Sequence, residues 1–418
     1  MESLRTSLYQ LKKTISTAFK LNHRKFEIEQ IRKFIQKRAD NFNGNQSLMI
    51  DSLLNRPKRK IIIDRVISNG NLLVEPQEIK DEVNKHFQTC AGGVHHEERI
   101  PPNWLPRYAP IDQINDEWYN SLLISPSFEE WMTHVRNSPN NKAAGTSGIS
   151  YEMIKHLGPK TQQFLWKFVS DCIITTFIPD EWREAFVYPI PKPKEWECEL
   201  TNTRPITLLE TVRKLMVKIL NHRLSNLFAQ KHILKGYQFA GIPGSSTMEP
   251  IRILNELIED AKEKKSELWI VFQDMSKCYD RVNIYMLEKA ILRLKLPQNF
   301  IEIIKNLFTN RKNRIFTAHG LTDPYDVLIG IDQGEVISPL LWCIYYDPLL
   351  VEVQSRQLGY NLSHTYRQNL YDPTSVTTES INIPALAYMD DTNWISDSEQ
   401  NMASILTISK ESSPLLTF

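Results

Sequence analysis

Ala385-Leu386-Ala387-Tyr388-Met389-Asp390-Asp391-Thr392-Asn393-Trp394-Ile395 places two adjacent aspartates between two short apolar runs. Apolar runs this short on either side of a polar break read as the strands of a hairpin. Neighbouring carboxylates repel, so the pair needs a divalent cation or a basic neighbour. Alone, Asp-Asp is also an ordinary turn sequence. A second site adds weight: Leu268-Trp269-Ile270-Val271-Phe272-Gln273 is an apolar strand that runs directly into Asp274. An acid at the end of a buried strand is costly unless a cation or partner compensates it. Carboxylate oxygens are hard ligands that suit Mg²⁺ or Mn²⁺. Two such ions about 3.5–4 Å apart form the device used for in-line phosphoryl transfer. If the two strands are neighbours, Asp274 and Asp390 can bridge such a pair.

Around these strands, helical and extended patterns interleave. Helical spacing predicts helices over 127–137, 150–157, 160–177, 207–229, 247–264, 282–295, 298–310 and 337–354. Strands are expected over 184–190, 268–273, 314–319, 326–330, 383–388 and 392–396. The regular βα alternation of a doubly wound sheet is missing, which points to an α+β fold. Ser246-Thr247-Met248-Glu249 has capping-box spacing at the start of 247–264. That helix carries Ile251, Leu254, Leu257, Ile258 and Ala261 as an expected core stripe.

The charge balance is uneven along the chain. The total is 50 Lys+Arg against 49 Asp+Glu, but residues 1–70 hold 15 against 6 and the remainder 35 against 43. A basic arm of +9 thus offsets a body of −8. Leu11, Ile15, Phe19, Ile28, Ile31 and Ile35 give segment 8–38 a helical stripe, with Lys12, Lys13, Arg24, Lys25, Arg32 and Lys33 around it. Arg56-Pro57-Lys58-Arg59-Lys60 is a basic loop or a localisation patch. Asn69-Gly70 between apolar runs predicts a type I′ hairpin, and Pro76 opens a helix over 76–88. Residues 97–127 lack periodicity and read as a connecting surface segment. The five cysteines form no CxxC pair, so neither a disulfide framework nor a thiolate zinc site is expected. With 41% hydrophobic and 24% charged residues, a collagen-like or wholly disordered chain is excluded. No stretch has the roughly 18 apolar residues of a membrane span, and no secretory signal is evident.

Six motifs then fall in one order. They begin with Asn141-Lys142-Ala143-Ala144-Gly145-Thr146-Ser147-Gly148-Ile149. Pro189-Ile190-Pro191-Lys192-Pro193 follows, with Asn202-Thr203-Arg204-Pro205-Ile206-Thr207-Leu208-Leu209. Gln238 with Pro243-Gly244-Ser245-Ser246-Thr247 is next, then Asp274 with Lys277, Tyr279 and Asp280-Arg281-Val282. Gly330-Ile331-Asp332-Gln333-Gly334-Glu335-Val336-Ile337-Ser338-Pro339-Leu340-Leu341 and Tyr388-Met389-Asp390-Asp391 complete the set, with 116 residues from Asp274 to Asp390. The series resembles the reverse transcriptases of non-LTR (LINE-type) retrotransposons. Their corresponding segments read N-K-A-P-G-P-D-G-I, I-P-K-P…Y-R-P-I-S-L-L, Q-x-G-F-R-x-G-R-S-T, D-x-x-K-A-F-D-x-V, G-x-P-Q-G-S-x-L-S-P-L-L and a Y-x-D-D turn.

The resemblance implies a right-hand polymerase fold with fingers and palm, and an RNA-directed DNA polymerase that adds nucleotides to a primer 3′-OH. Asp274, Asp390 and Asp391 would be the catalytic, metal-binding triad for two Mg²⁺ (or Mn²⁺) ions. Lys192 and Arg204 would grip the incoming triphosphate, because a point charge and a planar fork suit phosphate oxygens. Tyr279 would lie under the sugar and clash with a 2′-OH. Gln333 and Gly334 would bring backbone close to the templating pair, and Tyr388 and Met389 would meet the primer end. The expected partners are an RNA template, a DNA primer and deoxynucleoside triphosphates, with element RNA at the basic N-terminal helices and no membrane. A nuclear or cytoplasmic ribonucleoprotein is expected, not a secreted protein.

The expected division is a basic N-terminal extension at 1–96, a linker and start of fingers at 97–139, and the reverse transcriptase domain at 140–418. Phe418 lies only 27 residues after Asp391, so the sequence reads as a C-terminally truncated copy whose thumb is missing. Asp332 and Glu335 stand where the motif has Pro and Ser. They are expected as two unfavourable negative charges beside template and nucleotide. These departures keep two alternatives open: an inactive remnant that only binds nucleic acid, and a mobile-intron maturase-type reverse transcriptase.

Overall fold

The computed structural model describes residues 2–44, 49–50, 62–92, 100–192, 195–275, 277–367 and 376–416. The basic run Arg56–Lys60 and Pro193 lie outside the described residues. The chain divides into two units, Met1–Lys60 and Ile61–Phe418. The first unit is built on one helix, α1 (Glu2–Gly44), which extends beyond the 8–38 pattern at both ends. Its Ile15, Phe19, Ile28, Ile31 and Ile35 side chains stay exposed.

The second unit is α+β. It opens with the hairpin β1 (Val66–Ser68) and β2 (Asn71–Leu73), turned by Asn69 and Gly70 at φ 51° and 81°. Both positive angles are what a type I′ turn requires. Helix α2 (Pro76–Ala91) follows and buries Ile79, Val83 and Phe87 at i, i+4 and i+8. Helices α3 (Phe128–Arg136), α4 (Tyr151–Lys155) and α5 (Pro159–Thr175) lead to strands β3 (Glu184–Pro191) and β4 (Thr203–Leu208). Next come α6 (Thr211–Lys231), α7 (Met248–Lys264), β5 (Trp269–Gln273), α8 (Ile284–Arg293) and α9 (Gln298–Phe308). Strands β6 (Arg311–Thr317), β7 (Gly320–Leu321) and β8 (Tyr325–Val327) precede α10 (Ser338–Ser355). The described chain ends with β9 (Tyr360–Arg367), β10 (Val376–Ile383), β11 (Ala385–Tyr388), β12 (Asp391–Ser396) and α11 (Glu399–Leu416).

Two sheets position the site. One has the order β11-β12-β5, all antiparallel. The other has five strands in the order β4-β3-β6-β7, with β8 also on β6 and β3 parallel to β6. Helix α10 is buried on nearly every side, as its almost uninterrupted apolar sequence demands. It forms the spine of the main core with α6, α8 and α9. A second core joins α2 to Val187, Ile315, Tyr325 and Val327 of the five-stranded sheet.

Four expectations need correction. Trp104, Tyr108, Ile114, Tyr119 and Leu122 are buried in the main core, so 97–127 is not a surface connector. Large aromatic side chains outweigh missing periodicity there. The Ser246 capping box does not form: Thr247 is the N-cap with no side-chain cap, and Ser246 Oγ accepts from Met248 N instead. Helix α7 buries Leu257 and Ala261 but leaves Ile251 exposed. The region at 207 runs first as β4 and turns helical only at Thr211. The β9–β10 hairpin and α11 were not anticipated. Its apolar alternation is confined to one end, where Leu362 pairs with Ile381 and Tyr360 with Ile383, while polar pairs such as Ser363 with Ser380 and Thr365 with Thr378 follow.

Candidate active site

Strand pairing brings the acids together. Thr392 of β12 lies opposite Gln273 of β5, so the next step along the antiparallel register sets Asp391 opposite Asp274. On its other side, Asp391 pairs with Tyr388 of β11. Asp390 occupies the turn between them. Met389 takes φ 58° there, a left-handed conformation that costs a non-glycine residue roughly 1 kcal/mol or more. Gln238 holds the turn in that shape. Its Oε1 accepts from Met389 N at 2.9 Å, and its Nε2 donates to Met389 O at 3.1 Å. Phe239 N and Tyr237 O bond both backbone groups of Ala387. Sequence reading placed Gln238 in a motif but gave it no role.

The electrostatics fit a cation site. Burial raises the Asp391 carboxyl, and the charges of Asp390 and Asp274 raise it further. Three acids this close gain from a positive charge among them. Asp390 also accepts from Cys278 Sγ at 3.4 Å. Burial and the Asp390 charge push that thiol up, so it stays a protonated donor. Among the described residues, no three His, Cys, Asp or Glu side chains already stand in metal-ligating geometry. The acids share one edge of the sheet without forming a finished cage.

Tyr279 begins a single 3₁₀ turn, Tyr279–Arg281. Its hydroxyl donates to Met389 Sδ at 3.8 Å, and its ring meets Trp342 edge-on at 6.1 Å. Its carbonyl accepts from Ile331 N at 2.8 Å, which ties the Asp274 segment to the Gln333–Gly334 loop. Gly334, at φ 131°, approaches β4 so closely that a Cβ would stand 2.6 Å from Thr207 O. Gln333 O accepts from Thr207 N at 2.8 Å. The close backbone approach expected of this loop is therefore made to a strand of the chain itself.

Lys192 and Arg204 lie on one two-stranded ribbon. Ile190 pairs with Arg204, and Lys192 N continues the ladder to Asn202 O at 2.9 Å. Strand alternation then places both basic residues on the same face. Arg204 is exposed, and Lys192 Nζ donates to Thr201 O. The opposite face of β4, with Thr203, Pro205 and Thr207, lines a cavity of about 60 Å³ closed by α2 and Tyr325. Lys277 lines it too and donates to Cys90 Sγ of α2 at 2.9 Å.

Asp332 and Glu335 overturn their expectation. Both are buried and both are paired with arginines. Arg213 Nη2 reaches Asp332 at 3.1 Å and its Nε reaches Glu335 at 2.8 Å, while Arg311 Nη1 reaches Asp332 at 2.9 Å. Neither acid presents its charge to a template. Two acids in an apolar loop were a legible sign of basic partners, but their identity was not.

Carboxylates collected at one strand end, in an α+β fold with a basic ribbon, make a site of the phosphoryl-transfer type. The comparisons name the family: residues 190–413 match the reverse transcriptase (RNA-dependent DNA polymerase) family, and the chain belongs to it. Two relatives from Drosophila melanogaster are the probable RNA-directed DNA polymerases from transposon BS and transposon X-element. Each is 26% identical, over 56% and 60% of this chain. The RNA-directed DNA polymerase from mobile element jockey of the same species is 26% identical over 63% of the chain. The chain spans only about a quarter of these relatives' length, 26%, 28% and 28%.

Proposed function

We propose that this chain adds deoxynucleotides to a primer 3′-OH on an RNA template, as the polymerase segment of a non-LTR retroelement protein. The pairing of β5, β12 and β11, which sets Asp274 beside Asp390 and Asp391, carries this reading. Asp274, Asp390 and Asp391 would hold two Mg²⁺ (or Mn²⁺) ions. Bound divalent ions would neutralise phosphate charge and make the primer hydroxyl more acidic. The protein's own part is positioning. Lys192 and Arg204, on one face of the β3–β4 ribbon, bind triphosphate oxygens. Tyr279, fixed between Met389 and Trp342, packs under the sugar and excludes a 2′-OH. Gln333 and Gly334 order the nucleotide against β4, and Tyr388 and Met389 meet the primer end.

In this reading the three-stranded sheet is palm and the five-stranded sheet is fingers. The exposed basic face of α1 takes element RNA, in the nucleus or cytoplasm. Asp332 and Glu335 are spent on arginines, so the charge that favoured an inactive remnant is not offered to nucleic acid. Primer extension on poly(rA)–oligo(dT) with Mg²⁺ tests the reading. The wild-type chain is expected to extend, and Asp390→Asn to lose at least about a thousandfold in kcat. Equal extension by the variant would remove Asp390 from the site.

A further inference from the structure

Two arginines far apart in sequence meet at one loop. Arg213 lies in the first turn of α6, just after β4, and Arg311 begins β6. Arg213 is fully buried and Arg311 nearly so. Both guanidinium groups lie over the ring of Phe308, at 5.8 and 5.4 Å from its centroid. Each also reaches backbone. Arg213 donates to Trp182 O at 2.6 Å, and Arg311 to Ile329 O at 2.9 Å and Gly330 O at 2.7 Å. Arg311 Nε donates to Phe308 O at 3.0 Å, while Arg213 also bonds Asp332 and Glu335 and Arg311 also bonds Asp332, the acids that flank Gln333–Gly334. Two arginines and two acids thus meet in one buried cluster, with Asp280 near enough to feel both Asp332 and Arg311. The loop's own bonds complete it: Glu335 accepts from Val336 N at 3.0 Å, and Ser338 Oγ donates to Asp332 O at 2.9 Å.

The cluster fixes the loop against the nucleotide-facing strand. Gln333 O accepts from Thr207 N, and Gly334 leaves no room for a Cβ beside Thr207 O. Thr207 lies three residues from Arg204 on β4. A change in the charge balance that tilts the loop therefore moves Thr207, and with it the strand that carries Arg204. Buried ion pairs are poor sources of net stability, because desolvation consumes the attraction. Their geometry is nevertheless specific, since a guanidinium fork fixes both direction and distance.

We propose that Arg213 and Arg311 are positioning residues for nucleotide addition. Through Asp332 and Glu335 they hold the Gln333–Gly334 loop on β4 and so set the affinity for the incoming nucleotide. This rests on the polymerase reading above. Asp332 and Glu335 and their two arginines act as one set, so a neutral residue at either acid leaves an arginine short of its partner.

The test is steady-state primer extension by Glu335→Gln, with Asp347→Asn as a control. Asp347 is equally buried and pairs with Arg293, but it contacts the loop at Lys235 and Gly236 rather than Gln333. Glu335→Gln is expected to raise the KM for deoxynucleotide about tenfold, with template–primer Kd within twofold of wild type. Asp347→Asn is expected to lower Tm without moving that KM. A nucleotide KM unchanged in Glu335→Gln, or raised equally in both variants, overturns the proposal. Should Glu335→Gln fail to fold, Arg311→Lys takes its place. It keeps the charge but cannot span Asp332, Ile329 O and Gly330 O together, so a raised KM at near-native Tm supports the proposal and an unchanged one overturns it. A wild-type chain that extends no primer defeats the polymerase reading along with this proposal. Active wild type with an unmoved variant KM defeats the positioning role alone.

Discussion

Asp280 shows how one side chain reports its surroundings. It follows the Asp274 segment into the cavity wall beside Lys277 and Tyr325. Burial pushes its carboxyl from 3.8 up to about 6, Asp332 adds to the rise, and Lys277 and Arg311 oppose it. The fold therefore holds a proton on Asp280 more tightly than the unfolded chain does. That contribution is complete below about pH 4 and is lost as pH rises through about 6. Asp280→Asn should be more stable than wild type near pH 7.5, by on the order of 2 kcal/mol, and show little difference near pH 4. Denaturant melts at the two pH values measure this; an equal difference at both would show that the carboxyl does not titrate with folding. The sequence placed Asp280 in a motif. Its packed surroundings come from α2 and the Gly330 loop, each about fifty or more residues away along the chain.

At the scale of elements, the β11–β12 turn is the part most dependent on its neighbours. Asp390 and Asp391 are held at the strand end because Met389 accepts a left-handed angle, and Gln238 bonds both polar groups of that residue. Removing the amide leaves a partly buried N–H and C=O unsatisfied, at about 1–3 kcal/mol. Gln238→Ala should lower Tm and reduce kcat about tenfold, more than it changes the KM for nucleotide. Kinetics and melting curves on the same preparation decide this, and an unchanged kcat would mean that the turn keeps its shape unaided. Apolar runs and an Asp-Asp break were enough to predict this hairpin. The clamp was hidden, because a glutamine in a loop has no periodicity that points to its partner.

Across the whole molecule, the buried cores draw on residues from Ile63 onward. The basic excess lies before them, with α1 carrying an exposed polar and apolar surface. Deleting residues 1–60 should leave the Tm of the rest within about 2 °C, since the described cores are built of residues from Ile63 onward. The same deletion should weaken RNA binding and flatten the dependence of log K on log salt, because fewer phosphates are neutralised. Filter binding across a salt series tests it; an unchanged slope would place the RNA contact elsewhere. The sequence by itself pointed to the α+β class, most helices between residues 127 and 355, the strand before Asp274 and the hairpin around Asp390 and Asp391, because periodicity and turn chemistry are local. Only the tertiary structure decided that β5 lies beside β12, that 100–127 belongs to the core, and that Asp332 and Glu335 face arginines rather than a template. Those outcomes depend on which distant residues come to share low-dielectric space, where an unpaired charge is too costly to keep.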